Sequence, residues 1–153
     1  MSRTKQELHL INACRGVHAA MDQFDHLVCT DLGIARNDLR CLNLLEHGPV
    51  QPGEVARQLG ISTGSVTALI DRLEKLGCVT RRPDSEDRRR TCMEATEAVY
   101  KRLAKLYRGC AEQILGEFRS LRVADLEQAV GAIETLHRGC RAAVDRTAAD
   151  FGT

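Results

Sequence analysis

Apolar residues recur at helical spacing through the first thirty residues of the chain. Successive members are three or four positions apart, so they form one face of a single helix. That face consists of Leu8, Ile11, Cys14, Val17, Met21, Phe24 and Val28. The same spacing predicts a second helix that begins near Asn37 or Asp38, both favourable N-cap residues. Its predicted core residues are Leu39, Leu42 and Leu45.

Two short helices follow, separated by a glycine turn. Pro52 suits the first position of a helix, and Gly60 suits the position that follows its end. Ser62 is a favourable N-cap for the next helix, which ends at Gly77. The predicted core residues of this pair are Val55, Leu59, Val66, Leu69, Ile70, Leu73 and Leu76. Two short helices joined by a tight turn are typical of a helix-turn-helix.

The hydrophobic period changes after Gly77 and predicts a β-hairpin. Residues 78–81 have the β-branched character of a strand, residues 82–89 form a charged tip, and residues 90–93 return as the partner strand. A long helix is predicted from Thr96 to Phe118, and a last helix follows it. The apolar face of the last helix consists of Leu126, Val130, Ile133, His137, Cys140 and Val144. Near-heptad stripes on the first helix and on the last two favour helix-on-helix packing, including packing between chains.

Composition excludes several classes of protein. Only 3% of the 153 residues are aromatic, which argues against a β-sandwich or barrel. The net charge of +1 excludes a wholly basic nucleic-acid coat and an acidic disordered chain. No apolar run is long enough to cross a bilayer and the N-terminus lacks the form of a signal peptide, so we expect a cytoplasmic protein without membrane contact. No catalytic constellation or phosphate-binding loop is present, so we expect neither an enzyme nor a bound cofactor.

The positive charge is concentrated in the helix-turn-helix and the hairpin. Residues 48–92 carry eight basic and six acidic side chains, and five of the basic ones are Arg81, Arg82, Arg88, Arg89 and Arg90. Arginine pairs with phosphates and reaches base edges. The outward face of the helix after Ser62 carries Gly64, Thr67, Ala68 and Asp71, flanked by Ser65 and Arg72. Its small and hydroxylated residues let a helix backbone approach the floor of the major groove. Because the two features are adjacent, they favour DNA binding.

Two runs of residues resemble the MarR-type regulators. Residues 60–77, GISTGSVTALIDRLEKLG, resemble the recognition-helix segment of that family, and residues 79–90, VTRRPDSEDRRR, resemble its wing. The resemblance implies a mainly α fold with a small β-hairpin wing, a winged helix-turn-helix over residues 36–96. Residues 1–35 and 97–153 would supply the helices of a homodimer that reads a pseudo-palindrome in double-stranded DNA. Most such proteins are repressors that a small molecule or an oxidant releases.

The resemblance also implies which residues contact DNA. They are Ser62, Thr63, Gly64, Ser65, Thr67, Arg72, Asp87, Arg88 and Arg89. By the family pattern, Arg89 enters the minor groove, where a narrow groove attracts arginine. Asp87 would orient Arg89 and would also contact Arg72.

Three classes of trigger could control DNA binding, and the sequence leaves all three open. An aromatic or phenolic effector with a carboxylate would be held by Arg15, His18, Arg40 and His47, although each is also an ordinary surface residue. Cys14 lies where peroxide-sensing relatives keep a reactive thiol, and Arg15 would lower its pKa.

A metal is the third class. It would use His18, Asp22, His26 and Cys29, which share one helix face, but a solvated polar face explains this spacing better and no metal is expected. The seven cysteines lack the paired spacing of a disulfide scaffold or zinc ribbon. A winged helix that binds proteins instead of DNA is the alternative from another class.

Overall fold

The computed structural model describes residues 2–84, 87 and 89–151. The helices in this part of the chain are α1 (Arg3–Leu32), α2 (Arg36–Leu45), α3 (Pro52–Leu59), α4 (Thr63–Lys75), α5 (Glu97–Phe118) and α6 (Val123–Phe151). The strands are β1 (Val79–Pro83) and β2 (Thr91–Ala95). The mainly α fold with a single hairpin therefore matches the predicted class. Below, α4 is called the recognition helix and the β1–β2 hairpin the wing.

The chain divides into two compact units, residues 1–107 and residues 108–153. The first unit holds α1 to α4, the wing and the first half of α5, and the second holds the rest of α5 and α6. The division into residues 1–35, 36–96 and 97–153 expected from the sequence concerns dimer assembly, and it stays a prediction.

The core of the first unit lies between α2, α3, the recognition helix and the wing. The leucines predicted on α2 are buried, and so are the apolar residues of the two short helices apart from one. The exception is Leu76, which is 47% exposed because α4 ends at Lys75 and Leu76 follows as its C-cap. The helix-turn-helix assignment from periodicity is otherwise confirmed.

The end of α3 lies where the sequence predicts it, whereas the start of α2 does not. Gly60 ends α3 with a φ of 66°, a left-handed conformation that favours glycine. The second helix begins at Arg36, so the prediction that Asn37 or Asp38 caps it was wrong. Asp38 is instead the third residue of the helix, and its carboxylate accepts a hydrogen bond from the Ala35 N–H at 2.9 Å. The same residue types suit both positions, which explains the error.

The wing is an antiparallel pair that runs two residues further on each strand than the sequence predicts. Its register pairs Val79 with Ala95 and Pro83 with Thr91. Val50, just before α3, adds a short third segment, because its backbone exchanges hydrogen bonds of 2.9 and 3.0 Å with Met93. This bridge ties the start of the helix-turn-helix to the returning strand of the wing.

Two apolar stripes are largely exposed among the described residues. On α1, Val28 is buried and Phe24 is half-buried, whereas Leu8, Ile11 and Val17 are exposed. On α6, within the second unit, the exposed large apolar residues are Val123, Leu126, Val130, Ile133 and Val144. Within the described part of the chain, no helix combines the length and the apolar character that a membrane crossing requires.

Candidate nucleic-acid interface

The recognition helix begins with a side-chain cap. The Ser65 N–H donates a hydrogen bond to Ser62 Oγ at 3.2 Å, and the two serine hydroxyls lie 2.9 Å apart. Thr67 Oγ1 donates to the carbonyl of Thr63 at 3.1 Å. The cap fixes the first turn, whose remaining N–H groups suit a phosphate oxygen.

The outward face of this first turn is open to a ligand. Ser62, Thr63, Gly64, Ser65 and Thr67 are all exposed. Because their side chains are short, a helix presenting them comes close to base edges. The hydroxyl of Thr67 is occupied as a donor, but its methyl group and its oxygen lone pairs stay available. The first turn therefore presents a small, hydroxylated and exposed face, and its contact with DNA stays a prediction.

Arg72, at the other end of the recognition helix, pairs with a buried carboxylate while its own side chain stays 46% exposed. Its Nε donates to Asp38 Oδ2 at 2.8 Å and its Nη2 donates to Asp38 Oδ1. Hydrogen bonding to this carboxylate raises the pKa of the Arg72 guanidinium. The carboxylate partner of Arg72 is therefore Asp38 on α2, and not the Asp87 expected from the resemblance.

The wing arginines nearest the recognition helix are also paired. Arg81 forms ion pairs with Asp71, and with Glu74 at 2.9 Å, and both of these carboxylates are on α4. Arg82 pairs with Glu94 across the wing at 2.7 Å. These contacts neutralise two of the five arginines that the sequence singles out.

At the tip of the wing, Asp87 organises the backbone. Its Oδ1 accepts a hydrogen bond from the Arg89 N–H at 3.0 Å, and its Oδ2 lies 3.4 Å from Arg90 Nε. The Arg89 side chain is exposed and has no carboxylate partner among the residues that the structure describes. Arg88 lies outside the described residues. In the described wing, Arg89 is therefore the arginine whose charge is available to a phosphate.

A contact that the sequence did not indicate anchors the wing to α3. Gln51 Nε2 donates a hydrogen bond to Asp84 Oδ2 at 3.0 Å, and the Asp87 N–H donates to Asp84 Oδ1 at 3.2 Å. Asp84 thus connects the turn at the tip with the residue before Pro52. The Pro83-Asp84 pair is a turn signal, but its partner Gln51 is 33 positions away and carries no local signal.

A cavity of about 480 Å³ opens in the first unit, beside the helix-turn-helix. Its wall is formed by Leu42, Asn43, Glu46, His47, Ala95, Tyr100, Leu103, Ala104 and Tyr107. Of the four predicted effector residues, His47 lines this cavity, whereas Arg15, His18 and Arg40 are exposed side chains that do not line it. Arg40 donates to Asn37 Oδ1 at 3.2 Å.

Both tyrosines of the chain line the cavity, which the sequence analysis missed. The Tyr100 hydroxyl donates to the carbonyl of Leu45 at 2.8 Å, and the Tyr107 hydroxyl donates to Asp25 Oδ1 at 3.2 Å. Burial and the charge of Asp25 raise the pKa of Tyr107 to about 12. The rings form an apolar wall with fixed polar edges, which suits a planar organic ligand.

The cysteines are free thiols in different surroundings. Cys14 and Cys110 are half-buried and Cys140 is exposed. Burial raises the pKa of the Cys41 thiol to about 11 and also raises the pKa of Cys29 and Cys78. A buried protonated thiol is a poor nucleophile, so these three do not suit a redox sensor.

Two of the residues on α1 that were considered as metal ligands have other surroundings. Asp22 Oδ1 accepts a hydrogen bond from Arg36 at 2.8 Å, and Cys29 is buried. Among the described residues, no three metal-ligating side chains come together.

Comparison with known proteins identifies relatives by sequence. The model of the MarR family matches residues 32–90. The uncharacterized HTH-type transcriptional regulator YcgE of Bacillus subtilis (strain 168) is 35% identical over 127 residues, which are 82% of this chain and 82% of the relative.

Solved structures show the same fold at lower identity. A MarR family protein from Bacillus stearothermophilus has a TM-score of 0.73 and 18% identity, covering 92% of this chain and 99% of that chain. A mutant of MepR from S. aureus, bound to an oligodeoxyribonucleotide, has a TM-score of 0.61 and 18% identity, covering 86% of this chain and 97% of that chain. The sequence relative and the shared winged fold agree: the chain belongs to the MarR family of transcriptional regulators.

Proposed function

We propose that the protein is a sequence-specific regulator that binds a pseudo-palindromic operator in double-stranded DNA as a homodimer and represses transcription. One observation carries the DNA-binding part. The capped recognition helix presents a short, hydroxylated face, and the wing beside it presents the exposed Arg89. A surface that bound only proteins would have no need for this combination. The oligonucleotide in the structure of the MepR mutant supports the same proposal.

In this proposal the two elements have different tasks. The first turn of the recognition helix enters the major groove, where Ser65 and Thr67 contact base edges and Ser62 and Thr63 lie near phosphates. Arg89 at the wing tip, with Arg88 beside it in the sequence, reaches the adjacent minor groove. Asp87 holds the backbone of the tip through the Arg89 N–H. Base contacts supply the specificity, and the charge of Arg89 supplies affinity.

The uncovered apolar stripes support the homodimer. A monomer that exposes such stripes along two long helices would leave a large apolar area in water, which soluble monomers avoid. The stripe of α1 and that of α6 repeat every three or four residues, the spacing at which helices pack on helices. A second copy of the chain supplies matching stripes, and two copies present two recognition helices to the two halves of a palindrome.

Release by a small molecule is the proposed trigger, and the cavity beside α2 is its binding site. His47 and Asn43 offer polar contacts, and Tyr100 and Tyr107 offer ring faces, so a planar aromatic or phenolic acid fits the wall. A ligand there would shift the population between forms that do and do not fit the operator spacing. Oxidation at Cys14 is the alternative trigger, and its half-buried thiol gives it no specific support.

The experiment is fluorescence-anisotropy titration of DNA from upstream of the protein's own gene, with a scrambled duplex of the same composition as the control. Tight, salt-sensitive binding to the first duplex alone supports the regulator. If neither duplex binds, the test is repeated with duplexes selected from a random library. Continued absence of preference would reject DNA recognition and favour a module that binds proteins.

The trigger is tested with the same complex. Titration with salicylate as the probe acid is expected to release DNA, and a His47→Ala variant is expected to require more of it. A Leu44→Ala variant, at the end of α2 and outside the cavity wall, is the control for general loosening of the segment that leads to His47. Release by peroxide that a Cys14→Ser variant prevents would instead establish the thiol trigger.

A further inference from the structure

Asp38 stands apart from the rest of the core of the first unit. Its side chain is 0% exposed, and among the described residues it is the one charged side chain that is fully buried. A carboxylate taken out of water is costly unless hydrogen bonds and an opposite charge compensate it. Both oxygens of Asp38 are compensated, by the Ala35 N–H and by the two nitrogens of Arg72.

This pair connects the second helix to the recognition helix. Asp38 is in the first turn of α2, and Arg72 is in the last turn of α4, 34 positions later. The other contacts of α4 with the core are apolar, through Val66, Leu69, Ile70 and Leu73. Apolar contacts fix which face of a helix points inward, but they are not directional. A two-nitrogen contact to one carboxylate is directional, so it also fixes how far the helix is shifted along its axis.

The position of α4 along its axis matters for recognition of DNA. Arg72 is nine positions after Thr63, so its pair with Asp38 lies about 13 Å along the helix from the face that would read bases. Base contacts depend on hydrogen-bond distances that tolerate only a few tenths of an ångström. A small shift at Arg72 would therefore move every side chain of the reading face together.

We propose that Asp38 is a positioning residue for operator recognition: by holding Arg72 with both carboxylate oxygens, it sets the location of the recognition helix and so its sequence specificity. The inference rests on the proposed DNA-binding function. It assigns Arg72 to this task and not to direct contact with DNA, although the resemblance places Arg72 at the DNA. The Arg72 side chain is 46% exposed, so exposure alone does not distinguish the two roles.

The two roles give different results in a double-mutant cycle. Asp38→Asn, Arg72→Gln and the double variant are compared with the wild type for affinity towards a duplex that the wild type selects from a random library, and towards a scrambled duplex. If Arg72 acts through Asp38, each single variant lowers the ratio of the two affinities by about tenfold, the size of one lost base contact. The double variant then loses no more than either single variant, because both changes break the same contact.

A direct contact of Arg72 with phosphate predicts another pattern. Arg72→Gln would then lower the affinity for both duplexes equally, Asp38→Asn would leave the ratio unchanged, and the losses would add. Any of these results overturns the proposal. Arg36→Gln is the matched control, because the Arg36 side chain is 44% exposed, lies at the same end of α2 and pairs with Asp22 and Asp25 of α1. It is expected to leave the ratio unchanged.

Folding is checked separately by circular dichroism and thermal unfolding. If Asp38→Asn does not fold, two variants at the partly exposed Arg72 test the proposal instead. They are Arg72→Gln and Arg72→Lys, and the second keeps the charge. Lysine cannot supply two parallel donors, so Arg72→Lys is expected to lose selectivity while keeping its affinity for scrambled DNA. An unchanged ratio in both Arg72 variants overturns the proposal. Absence of selectivity in the wild type, by contrast, would reject the proposed function and not the role of Asp38 within it.

Discussion

Arg81 on the first strand of the wing and Asp71 on the recognition helix form an ion pair, and Glu74 on the same helix adds a second contact to Arg81. The pair joins the two elements that are proposed to meet DNA. It also withdraws the charge of Arg81 from any phosphate, although the sequence counts Arg81 among five wing arginines. The wing is thus less positive than its sequence suggests.

Removal of the two carboxylates should release that charge. The double variant Asp71→Asn with Glu74→Gln is expected to bind scrambled DNA more tightly, and the slope of log affinity against log salt should steepen by about one. Titrations at several salt concentrations measure both quantities. The control is Glu7→Gln with Glu97→Gln, which removes two paired carboxylates from α1 and α5. Equal slopes in the two double variants would contradict the prediction.

Arg89 should behave in the opposite way. Because its guanidinium has no carboxylate partner in the described wing, Arg89→Gln is expected to remove one phosphate contact and reduce the salt slope by about one. Arg3→Gln changes the net charge equally but removes a charge from α1, and its slope should match the wild type. If both variants show the wild-type slope, Arg89 does not contact DNA.

The cap of the recognition helix should contribute to stability. Ser62→Ala removes the oxygen that accepts from the Ser65 N–H, so the free energy of unfolding in urea is expected to fall by about 1 kcal/mol. Ser65→Ala keeps the Ser62 oxygen and the Ser65 N–H, so it should lower the free energy of unfolding by less. Equal losses would show that the contact between the two hydroxyls, and not the cap, is the stabilising feature.

Alkaline pH should destabilise the fold through the buried thiols. Burial raises the pKa of Cys41 from 9.0 to about 11, so above pH 9 the unfolded chain releases this proton while the folded chain retains it. Stability is therefore full below pH 9 and is lost as the pH rises towards 11, on the order of 2 kcal/mol for this group. Urea unfolding between pH 7 and about 10 measures the loss, and Cys41→Ala should reduce it. A free energy of unfolding that does not change with pH in the wild type would disprove the prediction.

The apolar stripe of α6 should hold two copies of the chain together. Ile133 is 60% exposed in the single chain, and Ile133→Asp would place a charge in the proposed interface. Analytical ultracentrifugation is expected to give a dimer for the wild type and a monomer for this variant. Gln128→Asp introduces the same charge off the stripe and should stay dimeric. A monomeric wild type would overturn the proposed assembly.

Periodicity and glycine punctuation were enough to predict the elements. Each helix has its apolar residues at the expected spacing, and Pro52 and Gly60 mark the two ends of α3 as a local rule requires. The wing follows from the change of period after Gly77. These features depend on neighbours within a few positions, which is the range over which a single sequence is informative.

The features that were missed depend on partners far along the chain. Asp38 read as a helix cap, because nothing near it indicates that Arg72 will bind it from 34 positions away. Tyr100 and Tyr107 lie in the predicted helix over residues 96–118, but their partners Leu45 and Asp25 are 55 and 82 positions away. The cavity they line is a product of packing, so no local pattern indicated it.

The bridge between Val50 and Met93 has a consequence for aggregation. It gives β2 a neighbour on each side at its centre, so β1 is the edge strand of this small sheet. An open strand edge is a template for pairing with other molecules, and proteins protect such edges with charge and proline. Here β1 carries Arg81, Arg82 and Pro83 on that edge. Because Arg82 and Pro83 are exposed on this strand, apolar replacements there are expected to lower solubility even where they leave DNA binding intact.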